Sequence, residues 1–276
     1  MYNFIHYFYT ILALMVGCCV GSFINVVIYR LPVMVFNCGE SETMTLSFPS
    51  SHCPHCKNKV YKRDNIPIIS WFILSGKCRH CYNKISKVYP FSEFIFGVIF
   101  SGLIWAFYPS CALMPLILFL GLFSICYAII FIDLKWYIIP DELNYLLIWL
   151  GLLGSVMNWT SVSPTHAVLG CIIIWLLIKS VMKLFKWATG KEGMGDGDAK
   201  LFSACASFIG VVQIHWLILF SALFGLLIFF TVKCFNYVPD RGKYAVYYKI
   251  DEKYHIPFGP AICLAVLSLY FYNEII

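Results

Sequence analysis

Long apolar runs separated by short polar loops dominate this chain, and a polar stretch at residues 30–88 interrupts them. The first apolar run covers residues 4–29, and seven more follow the polar stretch. These are residues 89–108, 112–132, 142–158, 166–187, 198–211, 214–236 and 257–274. Because a bilayer-spanning helix needs about 20 apolar residues, the pattern predicts an all-α polytopic membrane protein with about eight transmembrane helices.

The same pattern divides the chain into three segments. Residues 1–29 form the first transmembrane helix, residues 30–88 form a small polar insert, and residues 89–276 form a membrane-embedded core. Only 12% of the residues are charged and 61% are hydrophobic, whereas soluble domains carry about 25% charged residues. This composition excludes an assembly of ordinary soluble domains and makes the lipid bilayer the first expected partner.

The basic residues indicate how the chain crosses the membrane. All 20 lysines and arginines lie in or beside four alternate loops, those after the first, third, fifth and seventh apolar runs. The positive-inside rule places these loops in the cytoplasm and both termini outside. It also accounts for the net charge of +6 without a nucleic-acid partner.

Four of the 13 cysteines form two Cys-x-x-Cys pairs in the cytoplasmic insert, namely Cys53 with Cys56 and Cys78 with Cys81. Two such pairs suit tetrahedral zinc bound by four thiolates, which a reducing cytoplasm keeps available. Redox-active dithiols and an iron site are the alternatives. If zinc binds, its role is structural, because four protein ligands leave no open position.

Two acidic stretches lie on the predicted cytoplasmic side, FIDLKWYIIPDELN at residues 131–144 and GMGDGDAKL at residues 193–201. They place Asp133 and Asp198 at the membrane rim. Two carboxyl groups held close together can share a proton, so that one activates water while the other polarises a carbonyl group, as in aspartic peptidases. Alternatively, these carboxylates are solvated helix caps, which suits Asp141 but not Asp133, or they form a proton or cation pathway.

Glu93 lies early in the second predicted span, within YPFSEFIFG at residues 89–97. A glutamate at that depth is costly unless it is paired or hydrated. It either pairs with a basic residue of the cysteine segment or lines a cofactor pocket.

Taken together, these stretches resemble the bacterial type IV prepilin peptidase family, whose members are leader peptidases that also methylate their product. The resemblance covers nearly the whole chain, in order. Its motifs are GSFINVVIYRLP at 21–32, SHCPHC at 51–56, NIPIISW at 65–71, GKCRHC at 76–81, YPFSEFIFG, IDLKWYIIPDELN, GMGDGDAKL and IPFGP at 256–260.

The resemblance implies an aspartic endopeptidase of the bacterial inner membrane with its active site facing the cytoplasm. Such an enzyme removes a basic leader from type IV prepilins or pseudopilins after a glycine. It then methylates the new N-terminus with S-adenosylmethionine. The catalytic residues of the family fall on Asp133 and Asp198, the latter closing the sequence Gly195-Asp196-Gly197-Asp198.

Other expected site residues follow from the same resemblance. Gly195, Gly197, Asp141 and Asp196 would support the catalytic loop, and Glu93 and Gly97 are candidates for methyl transfer. We also expect acidic residues at the rim to attract the basic leader, namely Asp141, Glu142, Glu192 and Asp196.

The sequence departs from the family pattern after each cysteine pair, where Lys57 and Tyr82 replace a common glycine. A glycine eases a tight turn, so the local geometry there is in question. Three alternatives remain open: a peptidase without methylation, a carboxylate-lined membrane transporter, and a zinc-ribbon assembly factor without catalysis.

Overall fold

The computed structural model describes residues 2–36, 45–108, 110–191, 193–234 and 257–276. These ranges contain nine α-helices. They are α1 (Tyr2–Phe36), α2 (Ile69–Ile73), α3 (Val88–Phe107), α4 (Leu113–Trp136), α5 (Asp141–Val156), α6 (Pro164–Thr189), α7 (Asp196–Ile209), α8 (Ile214–Cys234) and α9 (Gly259–Glu274). Glu192, the basic residues between positions 241 and 253, and Ile256 of the IPFGP motif lie outside the described residues.

The expectation of an all-α membrane fold is confirmed, but the count of eight spans is not. Among the described residues, five helices are long and apolar enough to cross a membrane, namely α1, α3, α4, α6 and α8. Helices α5 and α9 have 16 residues each and α7 has 14. At 1.5 Å per residue they reach only about 21–24 Å, less than the hydrocarbon core of about 30 Å.

Two compact units make up the chain, Met1–Leu113 and Met114–Ile276. The first unit holds α1, the cysteine segment and α3, so α3 groups with the segment before it. The second unit holds α4 to α9.

In the first unit, glycines bring α1 and α3 into close contact. A β-carbon added at Gly17 would lie 2.6 Å from the backbone oxygen of Phe96, and one added at Gly97 would lie 2.7 Å from the Cys18 sulfur. Small residues at such positions let helix backbones approach each other, which is the main way that helices associate in lipid. The Asn25 amide donates to the Ser92 hydroxyl at 2.7 Å, so this half-buried asparagine is a packing contact between the helices.

In the second unit, α7 is the central helix. It packs against α5, α6 and α9, and its residues from Leu201 to Ile209 are all buried. A β-carbon at Gly170 of α6 would lie 3.1 Å from the backbone oxygen of Ala206, and Phe208 packs edge-on against Tyr270 of α9. Protein rather than lipid therefore surrounds this helix, which explains why a short sequence of small residues suits it.

Candidate active site and cysteine cluster

Asp133 lies three residues before the end of α4 and keeps only 5% of its surface exposed. Its Oδ2 accepts a hydrogen bond of 2.9 Å from the backbone N–H of Gly259, the first residue of α9. A helix N-terminus carries free N–H groups and a partial positive charge, so it suits a carboxylate. The buried aspartate therefore has a polar partner at a helix start distant in the sequence.

Glycine at the start of α9 leaves space for the Asp133 carboxyl group. A β-carbon at Gly259 would lie 2.7 Å from Oδ2 of Asp133 and 3.2 Å from Cδ1 of Ile139. Real β-carbons essentially never approach another atom at the first of these distances. Any other residue at position 259 would therefore displace the Asp133 carboxyl group.

Asp198 occupies the third position of α7, where it caps the start of the helix. Its backbone N–H donates to the Gly195 oxygen at 3.2 Å, and its Oδ2 accepts from the Gly195 N–H at 3.3 Å. This reciprocal pair holds the side chain over the helix N-terminus in the manner of a capping box. Asp198 thus has the same kind of electrostatic environment as Asp133, a carboxyl group at the positive end of a helix.

The loop after α4 brings the two aspartates together. Tyr137 follows the last residue of α4 in a left-handed conformation (φ 56°), and its N–H donates to the backbone oxygen of Asp133 at 2.9 Å. Ile139 then contacts both helix starts, because a β-carbon at either Gly197 or Gly259 would lie 3.2 Å from its side chain. Through Ile139, the helix start that carries Asp198 and the helix start that holds Asp133 pack against the same side chain.

The neighbouring acidic residues are paired with lysines. Lys200 Nζ lies 2.6 Å from Asp141 Oδ2, and Lys179 Nζ lies 2.6 Å from Asp196 Oδ1. Asp141 is in the first turn of α5 rather than at its N-cap, which is Pro140. Because lysines offset both charges, these two residues offer less attraction to a basic peptide than the sequence alone suggests.

Sequence reasoning overlooked Gly259 and Ile139 as site residues. The available signal was the IPFGP motif, in which a glycine and a proline precede an apolar run. Proline is favoured in the first turn of a helix, and Pro260 occupies that place in α9. The motif therefore marks the helix start that holds Asp133.

The four cysteines of the first unit form one cluster, in which all the sulfur atoms lie within 4.8 Å of one another. The Cys53 and Cys81 sulfurs are 3.7 Å apart, and those of Cys56 and Cys78 are 4.0 Å apart. Four zinc–sulfur bonds of 2.3 Å in a tetrahedron require a sulfur separation of about 3.8 Å. The cluster therefore fits a tetrahedral metal ion.

The two cysteine pairs sit in turns of the same form. An isolated β-bridge joins His52 to Lys59 around the first pair and Lys77 to Lys84 around the second. In the first turn, the backbone oxygen of Cys53 accepts a hydrogen bond from the N–H of Lys57. In the second turn, the backbone oxygen of Cys78 accepts one from the N–H of Tyr82. Lys57 and Tyr82 both adopt a φ of 57°, so the turn has left-handed geometry despite the missing glycines.

Two further interactions shape the cysteine segment. A hydrogen bond from the backbone of Cys56 lowers the pKa of the Cys53 thiol to about 6, which favours the thiolate that metals bind. Arg79, between the two cysteines of the second pair, donates two hydrogen bonds to Asp64, at 2.6 and 2.8 Å. These bonds lower the pKa of the Asp64 carboxyl group and tie the second turn to the 3-10 helix Lys62–Asn65.

The structure places Glu93 and Gly97 on α3. The Glu93 Oε2 accepts a 2.7 Å hydrogen bond from the backbone N–H of Ile68. Its partner thus comes from the cysteine segment, as one expectation had it, but is a backbone group rather than a basic side chain. Gly97 faces Cys18 of α1, where it permits close helix packing.

These features define a multi-pass helical membrane protein with a pair of aspartates, one buried and one half-buried, and a four-cysteine cluster. The model of the type IV leader peptidase family matches residues 120–230, and that of the bacterial peptidase A24 N-terminal domain matches residues 15–107. The chain belongs to the type IV leader peptidase family, which confirms the resemblance drawn from its motifs.

Curated relatives agree with this assignment. Several bacterial proteins named prepilin leader peptidase/N-methyltransferase match this chain. The Pectobacterium carotovorum protein is 38% identical, with 77% of this chain and 79% of the relative covered. The Neisseria gonorrhoeae protein is 33% identical (95% and 90% covered), and the Stutzerimonas stutzeri protein is 34% identical (93% and 88%). No solved structure matches the chain.

Proposed function

We propose that this protein cleaves the basic leader from type IV prepilins or pseudopilins after a glycine and then methylates the new N-terminus. The family and the names of its relatives support both activities. The observation that carries the peptidase assignment is the buried Asp133, held by the Gly259 N–H at a helix start that shares the Ile139 side chain with the start of the Asp198 helix.

Peptide hydrolysis needs one group to take a proton from water and another to give a proton to the scissile carbonyl. Asp133 and Asp198 supply these two roles while sharing a single negative charge. The N-termini of α7 and α9 stabilise that charge, because their N–H groups reach Asp198 and Asp133 respectively. Lys200 and Lys179 form ion pairs with Asp141 and Asp196, so those two residues support the loop rather than react.

S-adenosylmethionine is the methyl donor that the names of the relatives imply. Gly97 does not fit a direct contact with it, because the Cys18 sulfur already fills the space beside its α-carbon. One carboxylate oxygen of Glu93 already accepts a hydrogen bond from the backbone N–H of Ile68. We propose that both residues support methylation indirectly, by fixing α3 against α1 and against the cysteine segment.

Zinc fits the cysteine cluster, and we propose Cys53, Cys56, Cys78 and Cys81 as its four ligands. The ion would be structural, because the four thiolates complete a tetrahedral shell. Its contribution is to fold a short polar segment that has few buried apolar residues.

We place the protein in the bacterial inner membrane, with the site facing the cytoplasm and both termini outside. The restriction of lysine and arginine to alternate loops supports this orientation. The substrates are helical membrane proteins in the same bilayer, and the basic residues need no nucleic acid to account for them.

Mass spectrometry of a co-expressed prepilin tests the proposal. We expect the wild-type protein to yield a shortened pilin carrying one methyl group, and Asp133→Asn or Asp198→Asn to leave the leader in place. Asp196→Asn is the matched control, because it removes a neighbouring carboxylate that is already paired with Lys179. Leader loss without methylation would reduce the protein to a peptidase. An intact leader with the wild-type protein would favour transport or assembly.

A further inference from the structure

Apolar side chains project from the polar cysteine segment at and beside α2. Phe72 and Ile73 keep 68% and 71% of their surface exposed, and Ile66 and Ile69 are exposed beside them. We call these four residues the α2 patch. Contiguous apolar surface on a polar segment marks an interaction site rather than a core.

The opposite side of α2 is anchored within the segment. Ser70 is buried and donates its hydroxyl to the Arg63 oxygen at 3.0 Å. Trp71 lies against Gly76 and donates its indole N–H to the Ile85 oxygen at 3.4 Å. Because these contacts fix which side of α2 faces the rest of the segment, they also fix the α2 patch on the solvent-exposed side.

A hydrogen bond between Ile68 and Glu93 fixes the position of the α2 patch along the axis of α3. Glu93 is the sixth residue of α3, about 7.5 Å along the axis from its start. With 20 residues, α3 is only just long enough to cross the hydrocarbon core, so Glu93 lies inside the span. The Ile68 N–H reaches this carboxylate at 2.7 Å, which brings the chain directly before α2 to the same level.

The turn at Ile68 makes this attachment firm. Ile68 has φ 62° and ψ −55°, and the Ile69 N–H donates to the Pro67 oxygen at 2.6 Å, which defines a three-residue γ-turn. A β-branched residue rarely adopts this conformation, so the surrounding contacts must hold it there. Glu93 supplies one of these contacts and thereby fixes where α2 begins.

Basic residues border the patch. Lys62 and Arg63 precede it in the chain and Lys77 follows it, and all three are exposed. Apolar side chains flanked by lysine and arginine are typical of segments that lie in a membrane interface, where the cations meet anionic headgroups.

We propose that the α2 patch is an interfacial membrane anchor, with Phe72 and Ile73 inserted at the boundary between headgroups and acyl chains. The bilayer that surrounds α1 and α3 continues directly beside it, so the occupant is lipid rather than a peptide or a second copy of this chain. The anchor holds the cysteine cluster at the membrane surface. This inference does not depend on the proposed catalytic activity.

Photo-cross-linking tests the anchor in the full-length protein. A photoreactive phenylalanine analogue replaces Phe72 in one variant and Tyr82 in the other, in vesicles of phosphatidylethanolamine and phosphatidylglycerol. Tyr82 is the matched control, since it is aromatic, is 74% exposed and lies in the same segment. After irradiation, we expect several-fold more phospholipid adduct at position 72 than at position 82, measured by mass spectrometry.

Equal lipid labelling at the two positions would overturn the proposal. So would a predominant adduct at position 72 with a second copy of the chain or with an added prepilin. If the Phe72 variant fails to accumulate in the membrane, the same probe at Ile73 makes the comparison, with the same expected excess over position 82.

Discussion

The backbone N–H of Gly259 lies 2.9 Å from Oδ2 of Asp133, although 126 residues separate them in the chain. This bond joins the end of α4 to the beginning of α9. It makes the start of α9 a third component of the site, beside the two acidic motifs.

Substituting Gly259→Ala should lower the cleavage rate, because the added β-carbon would meet the Asp133 carboxyl group. A displacement of about 1 Å at a catalytic group can cost about 100-fold in rate. We expect kcat to fall with little change in KM, measured on a purified prepilin in vesicles. Gly102→Ala is the control, because a β-carbon there meets nothing within 4 Å. Equal kinetics in the two variants would remove Gly259 from the site.

Removing one cysteine should abolish metal binding by the cluster. In Cys78→Ser we expect zinc content, measured by elemental mass spectrometry, to fall from one ion per chain to none. The first unit should also become sensitive to proteases, because structural zinc supplies folding free energy directly. Cys19→Ser, at an exposed position on α1, is the control. Unchanged zinc in Cys78→Ser would show that the cluster is not the metal site.

Tyr82→Gly should stabilise the second cysteine turn. Tyr82 adopts a φ of 57°, which costs a non-glycine residue about 1–2 kcal/mol. Glycine has greater conformational freedom in the unfolded chain, which offsets part of this stabilisation. We therefore expect the free energy of unfolding to rise by at most about 1 kcal/mol. The denaturant concentration that releases zinc should rise accordingly. Tyr82→Ala separates the backbone effect from loss of the ring, and a similar rise in this variant would contradict the explanation.

The Asp64–Arg79 pair predicts a pH-dependent contribution to stability. Arg79 lowers the pKa of Asp64 in the folded state. The pair therefore contributes its full stabilisation of the folded state above about pH 3.9, which is the pKa of an aspartate in the unfolded chain. This contribution is lost as the pH falls through the lowered pKa of Asp64 in the folded state. The difference in unfolding free energy between wild type and Asp64→Asn should be constant from neutral pH down to about pH 5 and shrink below pH 4. A difference independent of pH would contradict the assignment.

Gly97→Ala should weaken the α1–α3 contact, since its β-carbon would lie 2.7 Å from the Cys18 sulfur. We expect a lower melting temperature and reduced methylation, with leader cleavage retained. Gly102→Ala on the same helix should be neutral in both assays. Reduced methylation at an unchanged melting temperature would indicate a direct role for Gly97 in methyl transfer, against our proposal.

The apolar runs predicted the helices to within a few residues in most cases, because each run is bounded by polar residues, glycine or proline. The main exception is α1, expected to end at residue 29 but continuing to Phe36. The hydropathy pattern places the start of the polar stretch at Arg30. Inside the structure, however, Arg30 donates to the backbone oxygens of Thr45, Leu46 and Pro49, which compensates for its burial.

The site was only partly predictable for a different reason. Asp133 and Asp198 stand in local motifs that a single sequence displays. The contacts of Gly259 and Ile139 arise only when α4, α7 and α9 pack together, and no spacing along the chain encodes them. The lysine partners of Asp141 and Asp196 were hidden in the same way, since they lie 59 and 17 residues away in sequence.

Ile139 packs against both helix starts of the site. Its side chain touches the residue before Asp198 in α7 and the residue that holds Asp133 in α9. The two helix starts that hold the carboxyl groups therefore pack against one aliphatic side chain. A larger or smaller hydrophobic residue at position 139 would therefore shift these helix starts by its shape, while leaving both acids unchanged.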